Sequence, residues 1–136
     1  MLSAITRLPF VQVYLRSDLA KLVVLMTREI SDVAKACGTS MGDYPELDIL
    51  PLLDGPVDEA VSRVQAKGED FILQGMKDYK ASMLLDILNE RCTELEDTAG
   101  YVIEKAQKYD VKVPYLEFAY QAVKGTQQEF GGQIEI

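Results

Sequence analysis

The run Ser17-Asp18-Leu19-Ala20-Lys21-Leu22-Val23-Val24-Leu25-Met26-Thr27-Arg28-Glu29-Ile30-Ser31-Asp32-Val33-Ala34-Lys35-Ala36-Cys37-Gly38 decides the fold class. Its apolar residues Leu19, Leu22, Val23, Met26, Ile30, Val33, Ala34 and Cys37 recur every three or four positions, the period of one α-helical face. Ser17 is placed to cap the helix and Gly38 to end it. The same period recurs elsewhere. Val57, Ala60, Val61 and Val64 predict a helix ending near Gly68; Phe71, Ile72 and Met76 predict a short one ending before Tyr79; Ser82 to Leu88 reads as another. Thr93 and Glu96 have capping-box spacing, so a helix is expected to open at Thr93 and bury Leu95, Ala99, Val102, Ile103 and Ala106. Pro114 suits the first position of a last helix, where a missing amide costs nothing, with Leu116, Ala119, Tyr120 and Val123 inward and Gly125 near its end.

Residues 42–56 break this pattern. Pro45, Pro51 and Pro56 each remove an amide donor and restrain the preceding residue, so an extended connection is expected. No stretch alternates with period two, and no strand, glycine-rich turn and helix follow one another. The expected architecture is therefore all-α, a single bundle of about six helices over residues 1–136, with a frayed tail over 131–136.

Composition narrows the function classes. A chain of 136 residues with 48% hydrophobic content can bury a core without metals or disulfides. The net charge of -8 opposes binding to nucleic acid or to an anionic membrane. The longest apolar run, Leu22–Met26, is far short of the roughly 20 residues that span a bilayer, and a cytoplasmic protein is expected. Two cysteines, Cys37 and Cys92, and no histidine make no zinc set. Asp43, Glu46, Asp48 and Asp54 have no calcium-loop spacing and read as a solvated face. Met26, Met76 and Met83 read as core, while Tyr101, Tyr109, Tyr115 and Tyr120 are candidates for a shared interface.

The run Lys80-Ala81-Ser82-Met83-Leu84-Leu85-Asp86, followed by Arg91-Cys92-Thr93-Glu94, Gly100 and Pro114, resembles the helical C-terminal domain of the ketopantoate reductases (2-dehydropantoate 2-reductases). Leu2-Ser3-Ala4-Ile5-Thr6 and Thr27-Arg28-Glu29-Ile30 with Val33, Ala34 and Gly38 are similar to further segments of that family. The resemblance implies a fold like the C-terminal domain of 6-phosphogluconate dehydrogenase and, for a full-length member, NADPH-dependent reduction of a 2-keto acid in pantothenate biosynthesis. It implies that Ser82 contacts substrate and that Glu94 works at the reacting oxygen. It also places the family's catalytic lysine ahead of Leu2, with the NADPH on an N-terminal Rossmann domain, so no cofactor is expected on this chain alone. Lys80, two residues before Ser82, is a candidate anchor for a substrate carboxylate. Where the family often has asparagine before the glycine, this chain has Ala99.

From chemistry alone, a serine and a glutamate can bind a small carboxylic acid or its keto oxygen. Three readings follow: the substrate-side and dimerisation domain of such a reductase, partnered by a second copy or a Rossmann domain; a stand-alone, cofactor-free isomerase or cyclase using Glu94 as acid or base; and a non-catalytic oligomerisation or ligand-binding module.

Overall fold

The computed structural model describes residues 1–45, 47–128 and 130. It is all-α, as the periodicity requires: α1 Leu2–Thr6, α2 Phe10–Leu15, α3 Ser17–Ala36, α4 Val57–Leu73, α5 Ser82–Leu88, α6 Tyr101–Lys108 and α7 Pro114–Gln127. A 3-10 turn spans Leu50–Leu52, and a π-helical turn over Glu96–Gly100 leads into α6. The 131–136 tail lies outside the described residues.

Helix α3 is the central post. It packs against α2, α4, α6 and α7, so its burial is not a single stripe: Ala20, Val24, Met26, Thr27, Glu29, Ser31 and Val33 are buried, while Cys37 is exposed. Two core clusters meet along it. Ala20 and Val24 belong with Leu47, Ile49, Leu52, Ala60, Val61 and Val64 in one. Met26 and Val33 belong with Ala4, Ile87, Leu95, Leu116 and Val123 in the other. At roughly 25 cal/mol per Å2 of apolar surface, each fully buried leucine or valine here contributes about 2 kcal/mol.

Several local expectations change. Ser17 is the first helical residue rather than a cap, and no side chain caps the start of α3. At the other end Gly38, at φ 76, closes a Schellman motif in which its own amide donates to Lys35 O and that of Thr39 to Ala34 O. Helix α4 does not stop at Gly68. The glycine is buried mid-helix, where a Cβ would come within 3.1 Å of Tyr14 Cβ and 3.2 Å of Leu15; it is there for the close approach of α2, and the predicted 71–76 helix is the end of α4. Phe71 then meets Phe10 edge-on with ring centroids 5.2 Å apart, and Gly75 ends the helix at φ 77.

The 42–56 connection is docked, not merely extended. Leu47, Ile49 and Leu52 are buried in the core, and Asp43 accepts the Leu50 amide at 2.9 Å. Arg28 on α3 secures its far end, donating to Leu52 O at 2.8 Å, Gly55 O at 2.9 Å and Asp54 O at 3.3 Å.

Neighbouring Glu29 performs the complementary task. Pro114 occupies the first position of α7 and has no amide, and the Glu117 amide donates to Val113 O at 2.9 Å. The two remaining orphan amides, Tyr115 and Leu116, donate to Glu29 Oε1 and Oε2 at 2.9 and 2.8 Å. A buried carboxylate thus accepts two charge-assisted hydrogen bonds at the positive end of a helix.

The capping box of Thr93 and Glu96 does not form. The Thr93 hydroxyl and amide both donate to Gln127 Oε1, at 2.7 and 3.0 Å, and the Glu96 carboxylate accepts from Tyr120 Oη at 2.7 and 3.0 Å. Both partners lie on α7, and the helix begins at Glu96 rather than Thr93.

Candidate functional site

Lys80 and Ser82 lie two residues apart where the chain enters α5. Ser82 is the first residue of that helix and both side chains are exposed. Between and after them, Ala81 and Met83 line a groove of about 260 Å3 whose walls come from α1, α2 and α3, including Leu2, Phe10, Val23 and Met26. The groove is mostly apolar, with Ser3, Tyr14 and Thr27 as its hydroxyl-bearing residues. Met26 and Met83 also pack into the core next to it, while Met76 is half-buried beyond the end of α4. Lys80 and Ser82 themselves are not among the residues that line the groove, although each is next in sequence to Ala81, which does.

Glu94 lies in the connection between α5 and the π-helical turn. Its side chain is exposed, and its carbonyl accepts from the Thr98 amide at 3.1 Å and the Thr98 hydroxyl at 2.9 Å. It is not among the groove-lining residues, and among the described residues no hydrogen bond or ion pair joins Lys80, Ser82 and Glu94. The chain places these candidates in two neighbouring segments on either side of α5. Ala99, at the position where the family often has asparagine, is buried.

What sequence reading missed is the α7 contact to the Glu94 segment. The signal was present as Tyr120 and Gln127, seven residues apart and so on one helical face, but nothing in the sequence names their partners. The Tyr120 phenol pKa is raised from its ordinary value near 10, first because the phenol donates to the Glu96 carboxylate, with desolvation adding to it and Lys124 opposing it.

Among the described residues, no group of three or more acidic or cysteine side chains could hold a metal ion. A dinucleotide finds no matching framework either: the described residues contain a single Tyr44–Leu47 bridge in place of a sheet, so there is no strand-to-helix turn to cradle a pyrophosphate. No helix among them is long and apolar enough to cross a membrane.

The family described as ketopantoate reductase PanE/ApbA C terminal matches residues 1–127, and the chain belongs to it. A 2-dehydropantoate 2-reductase from Listeria innocua serovar 6a is 39% identical over 49 residues, which are 36% of this chain and 16% of that protein. The match thus covers less than a fifth of that relative. No solved structure matches the chain.

Proposed function

We propose that this chain is the substrate-side helical domain of a ketopantoate-reductase-like protein, binding a small 2-keto or 2-hydroxy acid. The observation that carries the reading is the groove of about 260 Å3 lined by Ala81 and Met83, the sequence neighbours of Ser82. Its size suits a small branched acid rather than a nucleotide. In this reading the Lys80 ammonium pairs with the acid's carboxylate, Ser82 donates to one of its oxygens, and the apolar walls take its methyl groups. Glu94 accepts a hydrogen bond from the hydroxyl formed at the reacting carbon. NADPH-dependent reduction is the proposed activity of the complete enzyme. It requires a nucleotide-binding domain, because the described residues contain no strand-to-helix turn of the kind that cradles a pyrophosphate.

The test is thermal unfolding of the chain with ketopantoate, related 2-keto and 2-hydroxy acids, and NADPH. Ligand at a hundred times its dissociation constant adds about 2.7 kcal/mol, several degrees for a domain of this size. The reading expects a rise with a keto or hydroxy acid, none with NADPH, and loss of the rise in Ser82→Ala and Glu94→Gln. A rise that survives both substitutions would move the site elsewhere.

A second copy is the proposed partner. Tyr115 and Phe118, three residues apart and so on one face of α7, are 44% and 74% exposed, apolar surface that a second copy would cover. Light scattering at micromolar concentration should show a dimer; a strict monomer would remove this part of the proposal.

A further inference from the structure

We infer that Gln127 and Tyr120 on α7 are positioning residues for Glu94, holding the backbone on both sides of it; this rests on the reading that Glu94 acts at the site. Before Glu94, one acceptor, Gln127 Oε1, takes both the amide and the hydroxyl of Thr93. After it, the Tyr120 phenol bridges both carboxylate oxygens of Glu96. Glu94 itself contributes its carbonyl to Thr98, and Leu95 is wholly buried. The Glu94 backbone is therefore anchored at Thr93, at Leu95 and at Glu96, while its side chain projects into solvent.

Gly100 belongs to the same device. Its φ is -60, an ordinary helical value, so the backbone does not demand glycine. The demand is for space: a Cβ there would come within 2.7 Å of Glu96 Oε2 and 3.5 Å of Tyr120 Cε2. The π-helical turn, closed by the Gly100 amide on Leu95 O at 2.9 Å, brings the glycine under the carboxylate–phenol pair. A methyl group at 100 would make the Glu96 carboxylate shift against the tyrosine. At the far end the Cys92 thiol reaches Phe130 O at 3.4 Å, a third contact, here with a residue three positions beyond the end of α7.

The conservative variant separates positioning from bulk. Gln127→Glu keeps an oxygen that can accept both Thr93 donors, whereas Gln127→Met keeps the length and loses the acceptor. Amide hydrogen exchange should show the Thr93 amide exchanging at least ten-fold faster in Gln127→Met and at the wild-type rate in Gln127→Glu, with the Val24 amide in the other core as control for global opening. Tyr120→Phe and Gly100→Ala should each shift the Glu94–Glu96 amide resonances, and Thr93→Val repeats the Gln127 test with a smaller change. Unchanged Thr93 exchange in Gln127→Met would overturn the inference. Calorimetry with ketopantoate supplies the functional arm: in a wild type that binds it, Gln127→Met should weaken binding several-fold and Gln127→Glu should not. Altered exchange with unaltered binding would overturn the role at the site, and a wild type that fails to bind ketopantoate would remove the functional reading while the exchange data still decide whether α7 anchors the segment.

Discussion

Replacing Glu29 by glutamine changes one buried atom and tests the account of how α7 is held. Glutamine retains a single acceptor for two amides, and its NH2 group then confronts the second amide, donor against donor. A hydrogen bond to a charged group is worth about 1.5–3 kcal/mol, and a favourably placed charge at a helix terminus adds about 1 kcal/mol. The loss expected for Glu29→Gln is therefore about 3 kcal/mol, a shift of the unfolding midpoint of about 10 °C for a domain of this size. Glu29→Ala should cost more, about 4 kcal/mol, because both the Tyr115 and Leu116 amides are left without an acceptor in a region where Leu116 is fully buried. Urea unfolding followed by circular dichroism measures both, and an unchanged denaturant slope keeps the comparison on native-state stability. A glutamine variant within about 0.5 kcal/mol of wild type would refute the reasoning, since it would mean that water or the backbone replaces the carboxylate at no cost.

Other substitutions test separate elements. Gly68→Ala adds a good helix former mid-helix yet should destabilise by about 1–3 kcal/mol, because the new methyl meets Tyr14 Cβ at 3.1 Å; thermal melting with a gain in stability would contradict the close α2–α4 approach. Asp110→Gly should raise stability by about 1 kcal/mol, since Asp110 ends α6 at φ 54, a conformation costly for a residue with a Cβ; its fully solvated pairing with Lys112 adds little to keep. Arg28→Lys leaves one point charge for three carbonyls, and limited proteolysis should then cut the 42–56 connection faster than in wild type. Because Tyr120 donates to Glu96, its folded pKa lies above the unfolded value near 10. The stabilisation it gives is complete below pH 10 and is lost as pH rises through the folded pKa, so an alkaline melting series should show this loss in wild type and not in Tyr120→Phe.

The elements most legible in the sequence are those with long periodicity or unambiguous punctuation: α3 with its Gly38 stop, α5 with both bounds, and α7 with Pro114 at its head. Helices α1 and α2 have five and six residues, too few to display a period, and went unseen. Gly68 misled because a glycine that ends a helix and one that admits a neighbouring helix look alike in a sequence. Thr93 and Glu96 misled in a related way. Their spacing fits a local capping exchange, but a tertiary partner on α7 offered each a better one. Lys80, Ser82 and Glu94 were named from the sequence, whereas the groove lined by Ala81 and Met83 was not legible, because its other walls come from α1, α2 and α3, remote in sequence from α5. Glu29 was visible only as part of a motif. Its partners lie 86 and 87 residues away, and no local pattern encodes that distance.

A helix surrounded on most sides by methyl groups has little to set its roll, since one valine or alanine face can substitute for another against a soft neighbour. The adjacent pair Arg28 and Glu29 removes that freedom for α3. Successive residues on a helix point about 100° apart, so the guanidinium meets the carbonyls of 52–55 and the carboxylate meets the head of α7 at one angular setting. Turning the post by a single residue would break both sets of bonds at once. Two neighbouring opposite charges thereby act as an index mark, fixing which way the central helix faces while the apolar side chains around it supply the adhesion.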